Sequence, residues 1–159
     1  MNPIKYLKKK GFKRAIKVIW QYKIDILFQM LLKILCKNRS LLNCIVIESH
    51  NDFDSNGGAF YDYLIDKNLN EQYRIIWLLR NKAPKHLPKN VQCFNIYTPS
   101  IRKDYYIVNS KFILTCQDSI GIFREGQRAY YLTHGAMALK NTKGNISVPK
   151  TISYILAPS

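Results

Sequence analysis

Nowhere do the 159 residues offer an uncharged apolar run of the about 18 to 20 positions that a membrane-crossing helix needs. The best candidate, near the amino terminus, is interrupted by Lys23, Asp25 and Lys33. It is also too long and broken for a cleaved secretion signal, and no small-residue cleavage site follows it. Cysteine is sparse. Cys36, Cys44, Cys93 and Cys116 form no CxxC and no Cys/His spacing of the kind that holds zinc. Cys44, Cys93 and Cys116 fall in apolar, strand-like runs, where a reduced cysteine serves as a small buried hydrophobe, a usage that fits the reducing cytoplasm. Seven glycines, six prolines and no low-complexity tract exclude a largely disordered chain. Acids are the most conspicuous shortage: 10 against 25 Lys and Arg, for a net charge of +15. That imbalance points to an anionic partner, whether a membrane surface, a nucleic acid or a phosphorylated substrate.

The charge is unevenly placed. Residues 1–39 carry eleven Lys/Arg and a single acid, Asp25. Within them, "FKRAIKVIWQYKIDILFQMLLKILC" repeats apolar residues at Ile16, Ile19/Trp20, Ile24, Leu27/Phe28, Leu31 and Leu35, close to helical period. Residues 1–40 therefore read as a basic amphipathic helical segment. With Trp20, Tyr22 and Phe28 in it, such a helix suits the interface of an anionic membrane, where each lysine adds about 1 kcal/mol. The alternative is a helix packed on the body of the protein with its lysines solvated. Nucleic acid is not expected, because the aromatics lie among aliphatics and no basic recognition helix or aromatic RNA-binding strand is present.

From residue 41 the pattern changes to one α/β domain, residues 41–159. "NCIVIES" (43–49), "YRIIWLLR" (73–80), "VQCFNI" (91–96), "KFILTCQ" (111–117), "RAYYLTH" (128–134) and "ISYILAPS" (152–159) read as buried strands. "HNDFDSNGG" reads as a loop. "AFYDYLIDKNL" reads as a helix with Phe60, Tyr63 and Leu64 on one face and Asp54, Ser55 or Asn56 as its cap, and "SIRKDYYIVNS" as a second helix. Strands alternating with crossovers predict a mostly parallel, Rossmann-like sheet with helices on both faces. The last strand runs to the final residue, Ser159, so the sequence reads as one that stops before a covering helix.

Ligands of an open parallel sheet bind beyond the carboxyl ends of its strands. That edge would gather Glu48, Ser49, His50, Asn51 and Asp52 from the first strand. It would add Gln117, Asp118 and Ser119 from the fourth, Thr133, His134 and Gly135 from the fifth, and Pro158 and Ser159 from the sixth. His134 ends an apolar run and is followed by Gly135, which permits a sharp turn and close substrate approach. A neutral imidazole there can take a proton from a hydroxyl near pH 7, or simply bond a loop carbonyl. Lys140 and Lys143 could face a phosphate. His50, Asp52 and Asp54 are metal-ligand types, but such triplets after a strand are commonplace and no metal is expected.

"YYLTHGAMALKNTKG" resembles the His-Gly motif of the CDP-glycerol glycerophosphotransferases, polymerases and primases of teichoic-acid-type polymers, through Thr133, His134, Gly135, Leu139 and Lys140. "IVIESHNDFDSNGGAFYDYLIDKNLNEQYRIIWLLRN", "DYYIVNSKFILTCQ" and "ISYILAPS" resemble the flanking segments of that family in the same order, so the resemblance spans residues 43 to 159. It implies one half of a GT-B architecture, two facing Rossmann-like halves, and here the acceptor half with the donor-binding half missing. It implies that His134 is the catalytic base, with Thr133, Gly135, Lys140, His50, Asn51 and Asp118 around the acceptor. It implies a CDP-glycerol donor, no resident cofactor, and a lipid-linked glycerophosphate acceptor met peripherally at the cytoplasmic face of the cell membrane. Either the sequence is then a truncated or interrupted product, or a second polypeptide supplies the donor half. The other reading keeps the fold without the chemistry, as a truncated remnant or a membrane-associated interaction module.

Overall fold

The computed structural model describes residues 12–49, 51–116, 123–132 and 153–156. Its elements are helix α1 (Phe12–Leu35), strand β1 (Leu42–Glu48), helix α2 (Ser55–Asp66), a 3-10 turn (Leu69–Glu71), β2 (Arg74–Leu79), β3 (Val91–Asn95), α3 (Ile101–Asn109), β4 (Ser110–Thr115), β5 (Arg128–Leu132) and β6 (Tyr154–Leu156). All six expected strands are present. They form one sheet in the order β3-β2-β1-β4-β5-β6, and every neighbouring pair is parallel. This is the doubly wound Rossmann-like order, and the strand order reverses between β1 and β4.

Both faces of the central strands β1 and β2 are buried, which explains their uninterrupted apolar runs. On one face Ile45, Ile47, Ile75, Trp77 and Leu79 pack under Tyr61 and Leu64 of α2. On the other, Cys44, Val46, Ile76, Leu78 and Ile113 pack under Tyr106 and Ile107 of α3. Val46, Ile47, Ile75, Ile76 and Trp77 are fully buried. Each such side chain contributes about 1.5–3 kcal/mol by leaving water.

The structure corrects two details of the α2 region. The helix begins at Ser55, four residues earlier than the pattern suggested, so Gly57 and Gly58 lie in its first turn rather than in a loop. Its buried face runs through Gly57, Gly58, Tyr61 and Leu64, while Tyr63 is exposed. Glycine is required here for space. A Cβ on Gly57 would lie 2.9 Å from Ser49 Cβ, and one on Gly58 would lie 2.7 Å from the Phe53 carbonyl oxygen. Asp54 is the cap, accepting from the Ser55 amide at 2.6 Å.

Helix α1 packs along α3. Asp25, Leu32 and Cys36 are buried on one face, with Gln29 between them. The apolar stripe is not the side by which the helix packs: Ile16, Trp20, Leu27, Leu31 and Leu35 are exposed, as are Ile26, Met30 and Ile34. The packed side turns on a charge rather than on aliphatics, because Lys103 of α3 is itself buried and pairs with Asp25 at 2.8 Å. No described helix is long and apolar enough to cross a membrane.

Candidate functional site

The carboxyl edge of the sheet is built outward from Glu48, the last residue of β1. Its backbone is in register with Leu78 of β2 on one side and Thr115 of β4 on the other, so it sits where the strand order reverses. Its carboxylate is 1% exposed. Thr115 Oγ1 donates to Glu48 Oε2 at 2.6 Å, and Arg80 Nη2 donates to Oε1 at 3.0 Å. A buried carboxylate persists only when paired and hydrogen-bonded, and both conditions hold here. The Arg80 side chain remains 24% exposed, so its guanidinium reaches from this buried anion towards the surface. Its Nη1 meets the Tyr97 hydroxyl at 3.4 Å.

The loops that leave this edge are fastened by their own polar side chains. Asp52 accepts from the backbone amides of Arg80 and Asn81, both at 2.8 Å, which ties the β1–α2 loop to the end of β2. Asn95 donates to the Arg80 carbonyl at 3.2 Å and accepts from the Tyr97 amide at 2.8 Å. Phe53 adopts φ 53°, a left-handed conformation uncommon for a non-glycine residue. Its ring packs on Trp77 and Tyr61 with centroids 4.7 and 5.3 Å away. Ser49 is buried and donates to the Asp54 carbonyl at 3.0 Å. Ser49 and residues 51–54 are therefore held in place by their own contacts.

Of the seven expected site residues, Asn51 is the one the structure describes. It is exposed, and its side-chain amide donates to Asp54 Oδ2 at 3.3 Å, beside the cap of α2. His134, Thr133, Gly135, Lys140, His50 and Asp118 lie outside the described residues, as do Gln117, Ser119, Lys143, Pro158 and Ser159. Leu132 ends β5, so Thr133 and His134 follow the carboxyl end of that strand directly in sequence. The two described carboxylates of the considered metal triplet are engaged elsewhere, Asp52 on two backbone amides and Asp54 on the Ser55 amide and the Asn51 side chain. Among the described residues no group of three or more His, Cys, Asp and Glu could hold a metal ion.

Cysteine chemistry at this edge is disfavoured. Cys116 follows β4 and is buried, and burial pushes its thiol up, with the Ser49 hydroxyl pulling partly back. Burial likewise pushes Cys93 up to about 11 and Cys44 up to about 12. A thiol held protonated is a poor nucleophile. All four cysteines are free, and Cys36 and Cys44 are buried like Cys116.

Sequence reasoning singled out neither Arg80 nor Thr115, although both hold Glu48. A signal existed: "CIVIE" and "IIWLLR" end in opposite charges, as neighbouring parallel strands would if their ends met. Using it requires the register, which those runs do not encode.

No family profile and no curated protein matches the sequence. Solved structures do match by fold. A wall teichoic acid polymerase, TagF, superposes with TM-score 0.53 at 16% identity over 91% of this chain and 37% of that one. A histidine-to-asparagine variant of the same polymerase soaked with CDPG gives 0.59 at 16% identity, covering 93% of this chain and 42% of that one. A histidine-to-alanine variant gives 0.54, again at 16% identity, covering 89% and 37%. The chain thus spans about two fifths of the length of these structures. Its fold is shared with part of a teichoic acid polymerase, the Rossmann-like half of a GT-B architecture.

Proposed function

We propose that this chain is the acceptor-side half of a glycerophosphotransferase that builds a teichoic-acid-type polymer, using CDP-glycerol as donor. The observation that carries the reading is the fold match to a wall teichoic acid polymerase, joined to a Thr-His-Gly sequence that begins immediately after β5. The carboxyl edge is where a parallel sheet of this order receives a ligand. In the proposed reaction His134 takes the proton of an acceptor hydroxyl. The freed oxygen forms a bond to the β-phosphorus of CDP-glycerol, the bond to the CMP oxygen breaks, and CMP leaves with the electron pair. Lys140 holds an acceptor phosphate. Thr133, Gly135, His50, Asn51 and Asp118 complete the acceptor side.

The donor half comes from chain beyond these 159 residues or from a second polypeptide. The acceptor is lipid-linked, and the chain meets it peripherally at the cytoplasmic face of the membrane. The outward apolar side of α1, in a segment with eleven basic residues, supports that placement.

Kinetics of the enzyme completed with its donor half test the assignment. His134→Ala should lower kcat by roughly 10² to 10⁴, the usual contribution of a general base, with KM for the acceptor little changed. Lys140→Ala should raise that KM and leave kcat nearly intact. A completed enzyme that tolerates His134→Ala but loses its rate with His50→Ala would move the base to the end of β1 and refute the assignment.

A further inference from the structure

Between α1 and α3 lies a buried polar cluster that the proposed reaction does not use. Lys103 Nζ, on a residue 2% exposed, donates to Asp25 Oδ2 at 2.8 Å and to the carbonyls of Thr98 at 2.9 Å and Ile96 at 3.4 Å. Gln29 Nε2 donates to Asp104 Oδ1 at 2.8 Å. Each carboxyl thus has one oxygen satisfied. The other two, Asp25 Oδ1 and Asp104 Oδ2, are buried and receive no hydrogen bond from any described donor. Gln29, one turn from Asp25 on α1, reaches Asp104, and Lys103, next to Asp104 on α3, reaches Asp25, so the crossed pairs bring the two carboxyls together at one point of the interface. Two carboxylate oxygens cannot satisfy each other, because both only accept. One proton between them resolves the pair.

We propose that Asp25 and Asp104 share one proton across the α1–α3 interface, making the attachment of α1 to the domain a proton-linked clasp that tightens below neutral pH and loosens above it. The charge balance agrees. With the proton present, Lys103 and Asp25 cancel and Asp104 is neutral. Without it, a buried anion is left with no cation of its own, a costly arrangement. The proton belongs on Asp104, since Asp25 already faces the ammonium group. Burial is the largest influence on Asp104. The Gln29 amide pulls its affinity for the proton down, the Asp25 charge pushes it up, the Lys103 charge pulls it down, and the Asp25 hydrogen bond pushes it up again. The net result lifts it from 3.8 to about 7.

Among the described residues, the other elements packed against α3 bring no competing carboxyl to the pair. The titratable side chain that β1 contributes to the face under α3 is Cys44, held protonated up to about 12. From the segment before β5, Arg124 faces Asn109 and the Lys37 and Arg39 carbonyls rather than the carboxyl pair. Asp104 binds its proton more tightly folded than unfolded. Its contribution is therefore fully present below about pH 4 and is lost as the pH climbs through about 7.

The test uses the full chain without lipid, so its outcome is separate from the membrane reading. Carbon-13 NMR of the aspartate carboxyls should show one group titrating near neutrality, absent in Asp104→Asn. Hydrogen exchange of the α1 amides, corrected for intrinsic rates, should show opening that rises about tenfold per pH unit between pH 5 and 7, the slope of one proton. Asp104→Asn keeps a neutral donor on Asp25 and should flatten that slope. If every aspartate carboxyl titrates below pH 5, or if a folded Asp104→Asn variant keeps the wild-type slope, the clasp is refuted. The titration of the wild-type protein decides the matter even if the variant does not fold.

Discussion

Gly58 shows how closely the candidate site and the fold share their residues. It lies in the first turn of α2, and its missing side chain leaves room for the carbonyl of Phe53, the residue that turns the loop after β1 back onto Trp77. Asp52, one step earlier, fixes the same loop to the amides at the end of β2. Adding a methyl group at Gly58 would bring carbon to 2.7 Å from a backbone oxygen, and backbone cannot swing aside as a flexible side chain can. Gly58→Ala should cost about 1–3 kcal/mol, the usual penalty for overpacking. Urea denaturation measures it, with the midpoint lowered and the slope unchanged. Gly126 makes a useful contrast. It sits at φ 84°, so there a substitution would be strained by its backbone conformation, with the movable Leu41 Cδ1 also 3.2 Å from the added carbon.

Among the elements, α1 departs most from its sequence pattern. Strands β1 to β6 were legible because a buried parallel strand must be apolar throughout, and each such run ends at a polar or turn residue. The ends of α3 were legible for a similar reason, since Ser100 caps the helix by accepting from the Lys103 amide at 3.3 Å. In α1 the aliphatic stripe is legible as an apolar face, but the helix is seated through the other side, by Asp25, Gln29, Leu32 and Cys36. Nothing local marks Asp25 as a packing residue. Its partner Lys103 is 78 positions away, and long-range pairing of this kind is invisible to periodicity. The consequence is that Trp20, Leu27, Ile34 and Leu35, each more than 60% exposed, lie on the outward side of a basic helix. The chain should therefore sediment with anionic vesicles and be released by high salt, because surface attraction is screened within about 10 Å at 0.1 M. Replacing Trp20 and Leu27 together with serine should weaken binding by at least tenfold, as each buried apolar side chain contributes about 1.5–3 kcal/mol. Vesicle binding unchanged by both substitutions and by salt would contradict a membrane-facing α1.

For the molecule as a whole, the sheet has two edges at which a ligand could sit, and they differ in chemistry. The carboxyl edge presents Arg80 on its buried Glu48, the loop residues Asp52 and Phe53, and the end of β5, which the Thr-His-Gly sequence follows in the chain. The amino edge holds a recess of about 290 Å³ lined by Leu42, Asn43, Cys44, Glu71, Gln72, Tyr73, Arg74 and Asn90. The order of the six strands favours the first, because it reverses between β1 and β4, and ligands of such sheets sit beyond the carboxyl ends at that point. Backbone amide NMR of the chain, titrated with a short glycerol phosphate oligomer, discriminates between them most directly. A carboxyl-edge site predicts shifts at Ser49, Asn51 and Cys116 and in the residues that follow Leu132 in sequence. Shifts confined to Leu42, Asn43, Arg74 and Asn90, or none at millimolar oligomer, would contradict it.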